Sequence, residues 1–141
     1  MCTPAGHADK PALLNNLGNA FFRRFERLGE LIDIENAISF KQQAAVDLTP
    51  DGHADKAGWL NNLGSAFQSR FERLNDPEDI SKATASYQRA TKNTSSPPLT
   101  RYNAARRWAI LSSEHQLSRA ANATTDAQRH DLPRHIWGQR S

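Results

Sequence analysis

Few residue types in this 141-residue chain could do chemistry, and their spacing decides what that chemistry could be. Two histidines each stand two residues before an aspartate, in His7-Ala8-Asp9 and His53-Ala54-Asp55, and both residue types are metal ligands. The two segments lie 46 residues apart in matching surroundings. In equivalent turns of stacked helix pairs they would sit roughly 20 Å apart, given the ~8–10 Å spacing of packed helices. Metal bonds of ~2 Å cannot bridge that gap. His115, His130 and His135 show no ligand spacing either, so no metal site is expected.

Acid–base or nucleophilic catalysis needs groups that converge on a pocket. Here the carboxylates alternate with bases, as in Arg23-Arg24-Phe25-Glu26-Arg27, which reads as a solvated helix face with i,i+3 and i,i+4 pairing. No glycine-rich phosphate loop is present, so neither an enzyme nor a cofactor is expected. Cys2 is the single cysteine, which excludes an internal disulfide and any cysteine-rich zinc site.

The net charge of +3 is uneven. Residues 1–98 carry 11 Lys/Arg against 12 Asp/Glu, whereas residues 99–141 carry seven Arg against three acids. Arg101, Arg106 and Arg107 lie near Tyr102 and Trp108, the combination that could meet a phosphate backbone. The competing reading is a solvent-facing helix surface, and nucleic acid is not the expected partner. No stretch approaches the ~18 apolar residues of a membrane span, and the first residues carry no secretory signal pattern. The cytoplasm is the default location.

The elements that must position these residues are declared by an internal duplication. Residues 6–44 and 52–90 are identical at 22 of 39 positions. Each copy reads as two helices. The first follows Asp9 or Asp55, each placed as an N-cap, and carries the stripe Leu14, Leu17, Phe21, Phe25, Leu28 or its repeat Leu60, Leu63, Phe67, Phe71, Leu74. It stops at Gly29 or Asn75, residues that tolerate the left-handed conformation. The second helix runs from about Ile32 to Val46, or from about Pro77 to Lys92. Its inward faces are Ile34, Ala37, Ile38 and Ala44, then Ile80, Ala83, Tyr87 and Ala90.

The motif Leu63-Gly64-x2-Phe67 followed by Ala83-x3-Tyr87-x2-Ala90 resembles the tetratricopeptide signature, with Leu17-Gly18-x2-Phe21 as its first copy. In that first copy Lys41 takes the aromatic slot and Phe40 lies one step early. The wording Gly-His-Ala-Asp-Lys, Leu-Asn-Asn-Leu-Gly and Arg-Phe-Glu-Arg-Leu further resembles the long-repeat arrays of fungal proteins, many of which end in a CHAT domain, a caspase-like peptidase. This resemblance covers roughly residues 6–111 and implies an all-α fold, an α-solenoid of antiparallel helix hairpins with 42–46 residues per unit. It implies a non-catalytic interaction module that binds a protein or peptide in a concave groove. The alternative is a repeat-only fragment, or a regulatory or sensor region, of a larger CHAT-peptidase or immunity-type protein.

The units fall at 1–5 (tail), 6–51 and 52–97 (repeats), 98–130 (an imperfect third repeat or capping helices) and 131–141 (a disordered tail). A helix from Leu99 to about Ser113 and a partial one over roughly 117–130 are expected in the third unit. In such a superhelix the first helices line the concave surface, which implies partner contacts from Asn15, Asn19, Arg23, Asn61, Ser65, Gln68, Asn103 and Arg107. The competing reading gives the Asn15-Asn16 and Asn61-Asn62 pairs to bridges within the array. Self-association through exposed repeat ends is the remaining partner reading.

Overall fold

The computed structural model describes residues 9–131, apart from the side chains of Asp9, Ser118, Asn122 and residues 124–131. These residues form five α-helices, and no strand is found among them: α1 Asp9–Leu28, α2 Leu31–Gln42, α3 Lys56–Leu74, α4 Pro77–Lys92 and α5 Pro98–Asp131. The expected motif Gly6-His7-Ala8 lies outside the described residues, as does the tail from residue 132.

The helix ends follow the residues that predict them. Gly29 and Asn75 take φ values of +72° and +59°, and their backbone N–H groups donate to Phe25 and Phe71 oxygens at 2.7 Å. Pro77 opens α4, with the Asp76 side chain accepting from Glu78 N–H at 3.0 Å. Asp55 departs from expectation, because its carboxylate makes no cap bond at the start of α3. That work is done from a distant turn: Ser96 Oγ accepts the Ala57 N–H at 3.2 Å and donates to the Ala54 oxygen at 2.8 Å. Asn93 completes the tie with bonds to the Gly52 N–H and the His53 oxygen.

Contacts between α1 and α2 run in opposite senses along the two helices, Gly18 beside Lys41, Phe21 on Phe40 and Arg24 on Asp33, so the pair is antiparallel. Gly64 beside Tyr87 and Arg70 on Asp79 give α3 and α4 the same arrangement. A Cβ on Gly64 would lie 2.6 Å from the Tyr87 ring, and one on Gly18 would lie 2.8 Å from Lys41 Cγ. Both glycines are therefore places where helices approach too closely for a side chain. All eight inward residues expected on α2, α4 and their continuations are buried.

One difference lies after α2. The expected helix to Val46 changes pitch at Gln43 and finishes as a π-helical segment, Gln43–Asp47. The Thr49 hydroxyl then donates to the Ala44 carbonyl freed by the wider turn. The second difference is α5. It continues straight through the 113–117 region where the sequence suggests a break, because neither glycine nor proline interrupts residues 99–131.

Candidate partner-binding groove

Helices α1, α3 and α5 each send polar residues into one groove of about 460 Å³. Asn15 comes from α1, Asn61, Asn62 and Ser65 from α3, and Asn103 and Arg107 from α5. Trp59 and the Ala54-Asp55 turn close one end. The Trp59 ring stacks on His53 at 5.7 Å, and His53 Nδ1 accepts the Asp55 N–H at 3.0 Å. The sequence motif that first suggested metal ligands thus shapes the groove rim. No group of three or more His, Cys, Asp or Glu gathers at one point among the described residues.

Much of the asparagine row is engaged between helices. Asn62 Nδ2 donates to Asn15 Oδ1 at 3.3 Å, joining α3 to α1. Asn61 Nδ2 donates to the Thr100 carbonyl at 3.3 Å, joining α3 to α5. That carbonyl fixes which end of the Asn61 amide faces it, since the oxygen could not. The other end, Asn61 Oδ1, is buried and has no hydrogen-bond partner, the single such side-chain atom among the described residues. An unmet buried acceptor costs about 1–3 kcal/mol.

A hydrogen-bond chain crosses the floor beside it. Arg107 Nη1 donates to Ser65 Oγ at 2.7 Å, Ser65 lies 3.2 Å from Tyr87 Oη, and Tyr87 donates to Gln68 Oε1 at 3.1 Å. The donor order follows from the ends, because Arg107 can only give and the Gln68 oxygen can only accept. Arg107 itself is exposed.

Of the eight residues expected to contact a partner, Asn15, Asn61, Ser65, Asn103 and Arg107 line this groove. The other three are placed differently. Asn19 Oδ1 accepts from Lys41 Nζ, Gln68 serves Tyr87, and Arg23 is exposed beyond the groove lining. The expectation missed Trp59, whose position is occupied in the first copy by Leu13; an aromatic replacing an aliphatic at a repeat position was the available signal. It also missed the ion pairs Arg24–Asp33 at 2.7 Å and Arg70–Asp79 at 2.9 Å, although both are spaced nine residues apart and repeated in the two copies.

The three arginines considered for nucleic acid do not converge. Arg101 Nε donates to the Thr91 carbonyl at 3.0 Å, Arg107 turns to Ser65, and Arg106 is exposed. Among the described residues no helix is long and apolar enough to cross a membrane. Compared with family models, curated proteins and solved structures, the chain matches none of them.

Proposed function

We propose that the chain is a tetratricopeptide-like interaction module, an α-solenoid of antiparallel hairpins whose first helices hold an extended segment of a partner protein. The observation that carries this reading is one groove lined by polar side chains from α1, α3 and α5, with the exposed Arg107 at its side. An extended peptide presents backbone N–H and C=O groups at regular intervals, which suit such a polar lining. Arg107 favours a carboxylate nearby, and the Trp59 ring offers an apolar side-chain contact. The module has no catalytic role in this reading, and its partner is a protein or peptide and not a nucleic acid.

Photo-crosslinking tests it. A benzoylphenylalanine placed at Asn103 should capture partner peptides, while the same group at Ser81 on exposed α4 should capture far fewer. Equal capture at both positions would remove the groove as the binding surface.

A further inference from the structure

The outer face of α5 is a bare apolar stripe. Leu99, Tyr102, Ile110 and Leu117 lie on the side opposite the one that Ala104 and Leu111 bury, and Leu99 and Leu117 are 70% and 68% exposed. With an offset of 42 residues, Leu99 and Tyr102 match Ala57 and Leu60 of α3, both buried, whereas Ile110 and Leu117 match the polar Gln68 and Asn75. On α5 nothing in the described chain covers the stripe, because the helix goes straight where the earlier units turn back.

The second half of the helix is bare as well. From Gln116 onward, every described side chain of α5 is exposed. A stretch of about 16 residues draws little stability from propensity alone, since most helical stability comes from packing an apolar face. Asn122, Thr124, Thr125 and Asp126 lower its intrinsic propensity further. The described side chains of this half therefore lack a packing partner, just as the first half lacks a second helix.

Charge selects what pairs with what. Residues 98–113 carry Arg101, Arg106 and Arg107 with no acid, a net +3, whereas residues 114–131 carry Glu114, Asp126 and Asp131 against Arg119 and Arg129, a net −1. A parallel pairing of two copies would set +3 against +3. An antiparallel pairing sets each basic half against the other copy's acidic half. We infer that α5 pairs antiparallel with α5 of a second copy, each distal half covering the other copy's exposed stripe. The pairing uses a different surface from the asparagine groove, so the two can be tested separately.

Sedimentation equilibrium of the full chain across 1–100 μM should show a monomer–dimer equilibrium. Ile110→Asp with Leu117→Asp, both on the exposed stripe, should raise the dissociation constant at least 100-fold while helicity at α1–α4 and the melting transition persist. For orientation, a spin label at exposed Ser95, in a Cys2→Ser background, should report a separation of roughly 50 Å, from 1.5 Å of rise over about 16 residues on each side. A monomer at every concentration, a dimer unmoved by the two aspartates, or labels within about 25 Å of each other would overturn the pairing.

Discussion

The α1–α2 and α3–α4 pairs share more than half their sequence and one geometry, yet they solve the same packing problem with opposite chemistry. Where α4 places Tyr87 against Gly64, α2 places Lys41 against Gly18. Tyr87 is fully buried, and its hydroxyl is satisfied by Ser65 and Gln68. Lys41 is 2% exposed, with its ammonium donating to Asn19 and lying 5.3 Å above the Phe22 ring. Both hydrogen-bonding ends reach equivalent places, since Asn19 and Ser65, and Phe22 and Gln68, are repeat-related. The slot asks for a long side chain with an apolar stem and a polar tip, and two chemistries meet it.

The cost differs. Burial pushes the Lys41 amine down to about 8 from its usual 10.5, with the positive charge of Arg23 adding to the fall and Glu26 opposing it. The aromatic displaced from this slot, Phe40, stacks on Phe21 at 5.6 Å. Position along the chain adds a second contrast. Helix α3 packs against both α4 and α2 and buries Leu60, Leu63 and Phe67, while of their α1 equivalents Leu14 and Phe21 are half-buried and Leu17 is exposed, because no helix among the described residues covers the outer side of α1. The pair with neighbours on both sides is the tighter one.

The largest effect expected from this contrast comes from the ion pairs. Arg70 is mostly buried beside Asp79, so Arg70→Ala strands a buried carboxylate and should cost about 3–4 kcal/mol in urea unfolding. Arg24→Ala should cost clearly less, because the Arg24 side chain is half exposed and water can replace it. Equal losses would deny that the second pair is the better buried.

Next come the glycines. Gly64→Leu drives a side chain into the Tyr87 ring and should cost about 3 kcal/mol, whereas at Gly18 the obstacle includes the flexible Lys41 stem and Gly18→Leu should cost about 1–2 kcal/mol. Thermal melts followed by circular dichroism would rank them, and an unchanged melting point for Gly64→Leu would contradict the register.

Much of this was legible in the sequence. The α4 boundaries, the two closely approached glycines and all eight inward residues of the second helices follow from periodicity and from the duplication. Three things were hidden. The Arg–Asp pairs look like ordinary surface charges until a hairpin brings residues nine apart together. The Ser96 cap depends on a turn 39 residues from the N–H it satisfies. The asparagine bridges depend on which of two adjacent amides faces a neighbouring helix, which helical spacing alone does not fix.

A further effect separates the two slots by pH. Because the folded-state value of Lys41 is depressed, the unfolded chain holds more protons between about pH 8 and 10.5, and stability should rise with pH through that window. The gain should be about 2–3 kcal/mol between pH 7 and 10 relative to Lys41→Met, which lacks the titrating group. Parallel pH profiles for the two proteins would contradict a buried charged amine. Smallest is Tyr87→Phe, which removes the hydroxyl from the Ser65–Gln68 chain and should cost about 1 kcal/mol in urea unfolding.

The groove reading meets its most direct test in quantitative pull-down by wild type, Asn61→Ala with Arg107→Glu, and the remote Lys41→Met, each shown folded by its melting transition at the assay temperature. The groove variant should lose the bound partners at least tenfold while Lys41→Met retains them. Equal recovery by all three would contradict the assignment of the asparagine-lined groove as the binding surface.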